Sequence, residues 1–92
     1  MEKISFVVIT KDGLDARPAG IIRTEARKYQ STILAEQNGR RVDCKRLLSL
    51  WSLDAKYNST VTIEIEGDDE KEALEGIKKA IDSITDDQND EL

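Results

Sequence analysis

The chain has 92 residues, enough for one domain with one modest core. Only 38% of it is apolar and 36% is charged, and no run is long and apolar enough to span a bilayer, so membrane insertion is not expected. The net charge of −5 hides an asymmetry. Residues 16–56 carry nine Lys/Arg against four Asp/Glu, whereas residues 57–92 carry three against twelve; the acidic end would repel polyanions, and nucleic acid is not expected as a partner.

The opening "MEKISFVVI" has an acid at position 2 and runs straight into an alternating segment, unlike a signal peptide. Residues 3–9, "KISFVVI", are β-branched and aromatic and predict a strand; "KDG" predicts a turn. From Asp15 the period changes. Ala19, Ile22, Ala26 and Tyr29 recur at three- and four-residue steps and predict a helix with one apolar face. "TILAEQ", 32–37, predicts a strand, and "NG" between it and "RRVD" is a type I′ hairpin signal, which pairs the second and third strands antiparallel.

"KRLLSLWSL", 45–53, predicts a short helix and "AKYNS", 55–59, a loop. In "TVTIEIEG", 60–67, Val61, Ile63 and Ile65 alternate with Thr62, Glu64 and Glu66, which predicts a strand with one dry and one wet side. A last helix begins at about Asp68. Ala73, Leu74, Ile77, Ala80, Ile81 and Ile84 form its stripe, while Asp68, Asp69, Glu70 and Glu72 suit its positive end. Residues 86–92, "DDQNDEL", are expected to be a flexible acidic tail, leaving a domain at 1–85. The order β-α-β-β-α-β-α, with one solvated strand face, predicts an α+β two-layer fold: a four-stranded antiparallel sheet covered on one side by three helices.

The middle helix is more apolar than its length requires. With Leu47, Leu50 and Leu53 toward the core, Leu48 and Trp51 lie near the surface one turn apart, flanked by Lys45 and Arg46. That is an anchor for a protein interface, or else a broad core face packed under the 54–59 loop. The first helix carries Arg17, Arg23, Arg27 and Lys28 outside its stripe, an ordinary solvated face unless it adjoins Leu48 and Trp51.

Asp15 stands at the N-cap of that helix, where its carboxylate is expected to accept a backbone N–H. Pro18, at N3, has none to give, so Arg17 N–H at N2 is the expected donor. With the Arg17 side chain folded back over the terminus this makes an anion site, filled by the Asp15 carboxylate or shared with a phosphate. Cys44 is the only cysteine, which excludes an internal disulfide, and a buried or half-buried thiol is its default reading. Without any histidine there is no nucleophile–base pair and no metal set, so neither metal nor cofactor is expected. A cytoplasmic location is expected from the same composition.

"GLDARPAG", 13–20, resembles the G-[IL]-H-A-R-P-A segment of the histidine-containing phosphocarrier family, HPr, of the bacterial sugar phosphotransferase system. The likeness takes in the NG hairpin before "RRVDCK", the "LLSLWSL" helix, the "VTIEIEG" strand with its acidic follow-on, and the final amphipathic helix. It implies an open-faced β-sandwich. It also implies that Asp15 aligns with the histidine that takes a phosphoryl group from enzyme I and passes it to a sugar permease component. Arg17 aligns with the arginine that assists the phosphate. Arg46 aligns with the regulatory serine, which a kinase phosphorylates in many Gram-positive members. The family's contact positions fall on Arg17, Gly20, Ile21, Arg23, Thr24, Arg27, Leu47, Leu48 and Trp51.

Both phosphorylation positions are therefore changed. The chain is similar to the catabolite-repression HPr-like proteins, which also lack the active histidine but keep the serine. Three readings follow from the resemblance. One is a regulatory docking protein for enzyme I, sugar-specific components or a catabolite regulator. The second is a phosphocarrier acting through an aspartyl phosphate at Asp15, and the third is a module of the same build working outside sugar transport.

Overall fold

In the computed structural model, which describes residues 1–85, four strands and three helices follow in the order β1 (Glu2–Val7), α1 (Ala16–Ala26), β2 (Thr32–Gln37), β3 (Arg40–Asp43), α2 (Leu47–Ser52), β4 (Thr60–Glu66) and α3 (Glu70–Thr85). The acidic tail expected at 86–92 lies outside the described residues. One antiparallel sheet runs β1-β4-β2-β3, with the three helices on its apolar side, as the alternation of β4 predicts. Asn38 (φ 54°) and Gly39 (φ 80°) both take the left-handed conformation, and Gln37 pairs with Arg40 across the two-residue turn that "NG" predicts.

The register places Phe6 beside Val61, Ile4 and Ala35 either side of Ile63, and Ile33 beside Ile65. These residues share one face. Onto it α1 lays Ala19, Ile22 and Ala26, and α3 lays Ala73, Ile77, Ile81 and Ile84, all buried. Each fully buried isoleucine contributes about 1.5–3 kcal/mol of transfer free energy. Leu50 and Leu53 bring α2 onto the same core. Gly76 leaves room on α3 for the Tyr29 hydroxyl and the Glu25 carboxylate, two groups joined by a 2.8 Å hydrogen bond that would have to shift for any added Cβ.

Three local expectations are corrected. The first strand ends at Val7 rather than position 9, because its partner chain turns away at Asn58 (φ 72°). Val8 still donates its N–H to the Ser59 carbonyl (2.9 Å) and accepts from Asn58 N–H (2.7 Å). The middle helix starts at Leu47 rather than 45. The Asp43 carboxylate takes Lys45 N–H (2.9 Å) and the Asp43 carbonyl takes Arg46 N–H (3.2 Å), a side-chain turn that holds 43–46 out of the helix. Glu64, expected on the wet side, is only 8% exposed. It lies on an interior strand between Lys3 and Leu34, and the Arg41 Nη2 closes over it at 3.2 Å.

The acids before α3 divide their work. Glu70 Oε1 accepts Gly67 N–H (3.1 Å) at the helix start. Asp69 caps with its carbonyl, which accepts Ala73 N–H (2.9 Å), but its carboxylate reaches across to the α1–β2 connection. There it accepts the Ser31 hydroxyl, Gln30 N–H (2.8 Å) and Ser31 N–H (2.9 Å). The Ser31 hydroxyl first, and then these amides, hold its carboxyl below the usual aspartate range. A depressed carboxyl pKa contributes stability above the unfolded value, near pH 4, and that contribution is lost as pH falls through the folded value. Asp69→Asn is therefore expected to flatten the fall of the melting temperature below about pH 4. Calorimetric scans across the acid range check this, and an unchanged acid slope would show that the clamp contributes nothing.

Candidate functional site

The start of α1 is set by a turn that only glycine fits. Gly13 has φ +75°, and a Cβ on it would run into the Ala55 carbonyl. That close approach lets Leu14 N–H donate to the Ala55 carbonyl (2.8 Å), tying the turn before α1 to the loop after α2. Thr10 closes the turn by donating its hydroxyl to the Gly13 carbonyl, and Asp15 N–H donates to the same oxygen (2.9 Å).

Asp15 is the N-cap by its backbone. Its conformation is extended and its carbonyl accepts Ala19 N–H (3.0 Å). The expected bond from Arg17 N–H to its carboxylate is not formed, and no side chain caps α1. Side-chain caps draw on the N2 and N3 amides. Pro18, buried at N3, removes one of these, and the single N2 donor does not hold the carboxylate. The Arg17 side chain, exposed, does not fold back onto Asp15 either; among the described residues it makes no ion pair. The half-buried Asp15 thus presents a free carboxylate to a cleft of about 200 Å³, which Asp12, Arg17 and Thr10 share and which Pro18, Ile21 and Ile84 wall.

Two further hollows flank α1. Between α1 and α3, Arg17, Gly20, Ile21, Arg23 and Thr24 face Lys79 and Ser83 across about 530 Å³. Between α1 and α2, Arg23 and Arg27 face Lys45, Arg46, Leu47 and Leu48 across about 530 Å³. Of the basic residues outside the stripe, Lys28 is neutralised by Glu25 (3.0 Å), while Arg17, Arg23 and Arg27 have no carboxylate partner among the described residues. Lys45 Nζ donates to the Tyr29 carbonyl (2.7 Å), which holds the β3–α2 turn against the end of α1.

On α2, Leu50 and Leu53 are buried and Leu47 is half-buried, while Leu48 is 73% and Trp51 52% exposed. The broad-core alternative for this pair therefore fails: six helical residues offer the sheet one face, and the second stripe is left in solvent. The positions that the resemblance marks as contacts divide between these two hollows, with Arg23 in both; Trp51 lines neither and stands one turn beyond Leu48. Lys79 and Ser83 were not legible as site residues, because in the sequence they are only the polar side of an amphipathic helix. Cys44 is fully buried, and burial first, then the neighbouring Asp43 charge, pushes its thiol up to about 12, far from a reactive thiolate.

Among the described residues no helix is long and apolar enough to cross a membrane. A family model described as the PTS HPr component phosphorylation site matches residues 2–83. The chain is 43% identical over 82 residues to the phosphocarrier protein HPr of Mycoplasma pneumoniae, covering 88% of this chain and 93% of that one. It is 42% identical over 67 residues to the HPr-like protein Crh of Halalkalibacterium halodurans, covering 73% and 80%. A solved structure of a mycoplasma histidine-containing phosphocarrier protein superposes with a TM-score of 0.85 at 29% identity, covering 89% of this chain and 93% of that one.

A working N-cap side chain is worth about 1 kcal/mol. Because the Asp15 carboxylate makes no cap bond, Asp15→Ala is expected to change the unfolding free energy by less than about 0.5 kcal/mol. Urea denaturation measures it, and a loss of a full cap's worth would mean that the carboxylate holds the helix start in solution.

Proposed function

The chain belongs to the HPr phosphocarrier family, and on that premise we propose that it is a regulatory docking member, which presents the family's partner-binding face but does not carry phosphate on histidine. One observation carries the reading. Leu48 stands exposed in the groove that the cations of α1 line, with the exposed Trp51 one turn beyond it, in a chain with no histidine. An apolar anchor with unpaired positive charge on one side fits a protein partner that carries acidic groups beside its apolar contact. The partners are the proteins of the phosphotransferase system, enzyme I and the sugar-specific components, or a catabolite regulator, in the cytoplasm.

In this reading Asp15 holds the place of the phosphorylated histidine and Arg17 that of the arginine beside it. A carboxylate carries at most one negative charge where a phosphoryl group carries nearly two, so Asp15 imitates a phosphorylated carrier only in part. Arg46 holds the place of the regulatory serine, at the N-cap of α2. A cation there replaces a group that becomes anionic on phosphorylation, so partners that require phosphoserine bind poorly. Calorimetric titration against enzyme I, sugar-specific components and a catabolite regulator tests the proposal. Leu48→Ser and Trp51→Ala are each expected to weaken binding about tenfold, or about 1.4 kcal/mol, with the melting temperature unchanged because both side chains are exposed. No binding to any of these partners would overturn it.

The free Asp15 carboxylate beside Arg17 favours a second reading, a phosphocarrier acting through an aspartyl phosphate. A carboxylate oxygen would attack the phosphorus of phosphorylated enzyme I, forming the acyl phosphate as the bond to enzyme I breaks. Incubation with phosphoenolpyruvate and enzyme I, followed by mass spectrometry under mild conditions, decides it. A hydroxylamine-sensitive gain of one phosphoryl group supports this reading, and an unchanged mass removes it.

A further inference from the structure

Arg23 and Arg27 stand one turn apart on α1, and Lys45 and Arg46 occupy the turn before α2. All four line the same groove of about 530 Å³. No acidic side chain lines it, and among the described residues none of the four forms an ion pair. Each part of this arrangement is unfavourable in the free protein. Like charges at i,i+4 repel, and Arg46 sets a cation at the N-cap of a helix, the end that disfavours it. The Nε of Arg23 is enclosed by protein and has no hydrogen-bond partner. An anion in the groove relieves the first two.

We propose that this groove binds a small ligand carrying two phosphate groups, one held by Arg23 and Arg27 and the other by Lys45 and Arg46. Four positive charges match two groups of nearly two negative charges each. Guanidinium forks suit phosphate oxygens. Ser49 brings a hydroxyl to the same lining, and Leu47 and Leu48 give the carbon skeleton between the phosphates an apolar wall. The volume lies within the range of small-molecule sites.

The other hollows fit such a ligand less well. Asp12 and Asp15 line the cleft at the start of α1, and Glu25 lines the one between α1 and α3. In a chain of net charge −5, the field that draws an anion must come from this local cluster. The groove shares Arg23, Arg27, Leu47 and Leu48 with the docking face proposed above, so on that reading a seated ligand and a docked protein would compete. The site itself does not rest on that reading, and its test uses the chain alone.

The test is an NMR titration of the isotope-labelled full chain at low salt, with pyrophosphate as probe and orthophosphate and succinate as comparisons. Saturable shifts are expected at Arg23, Arg27 and 45–49, with pyrophosphate at least tenfold tighter than orthophosphate and succinate weaker than both. Lys45→Gln with Arg46→Gln is expected to weaken pyrophosphate at least tenfold, and Lys3→Gln, on the uncovered sheet face, to leave it unchanged. Lys45→Gln also loses the bond to the Tyr29 carbonyl; should that disturb the turn before α2, Arg46→Gln alone still carries the test, since the Arg46 side chain is exposed. Equal affinity for succinate and pyrophosphate, shifts that do not saturate, or binding that survives the paired substitution would each overturn the proposal.

Discussion

Val61, Ile63 and Ile65 stand on one face of β4, fully buried, and a central strand with a dry face needs helices laid across it. Because β4 pairs with both β1 and β2, the helix that follows β1 and the helix that follows β4 are brought over the same apolar surface. Their small buried residues, Ala19 and Ala26 on α1 and Ala73 on α3, suit close packing on the sheet, and Gly76 admits the Tyr29 and Glu25 side chains between the two helices. With α1 fixed, the Leu14–Ala55 hydrogen bond joins its start to the loop that ends α2. The candidate site is the rim of that packing: what α1 and α2 carry on the sides turned away from the sheet.

Charge is sorted around this frame. Three acids are engaged away from the groove: Glu25 with Lys28 and Tyr29, Asp69 with Ser31, and Glu64 under Arg41 on the opposite face of the sheet. The cations beside α2 have no carboxylate partners among the described residues; the exposed Leu48 lies among them, and the exposed Trp51 follows one turn on. An exposed apolar pair with unpaired cations beside it is the feature on which the proposed docking role rests. The same sorting leaves Asp15 between Asp12 and Arg17, with its carboxylate free of the helix it begins.

Local chemistry made much of this readable in advance. "NG" demands two residues at positive φ and so announces its hairpin, and the spacing of Ala73, Ile77, Ala80, Ile81 and Ile84 announces α3. Leu48 and Trp51 were legible because a short helix has only so much arc to bury. What escaped the sequence depends on distant partners. Glu64 is covered by an arginine from a strand that is not its neighbour, and Asp69 finds its donors at residues 30 and 31. Lys79 joins Arg17 and Thr24 only once α3 lies beside α1. Asp15 is the instructive case. The sequence places it at the N-cap, but the donors left over do not decide its carboxylate's partner: an available N–H is not the same as a bond worth forming.

The central claim is that the family's docking face persists although the histidine chemistry is gone. The most direct measurement is phosphoryl transfer from phosphorylated enzyme I to an Asp15→His variant, with folding checked alongside. On the proposed reading this single change restores transfer, because Arg17, Leu48 and Trp51 would still present the face that enzyme I engages. A folded variant that neither binds enzyme I nor gains phosphate would contradict it, since the surface as well as the reacting group would then have been lost.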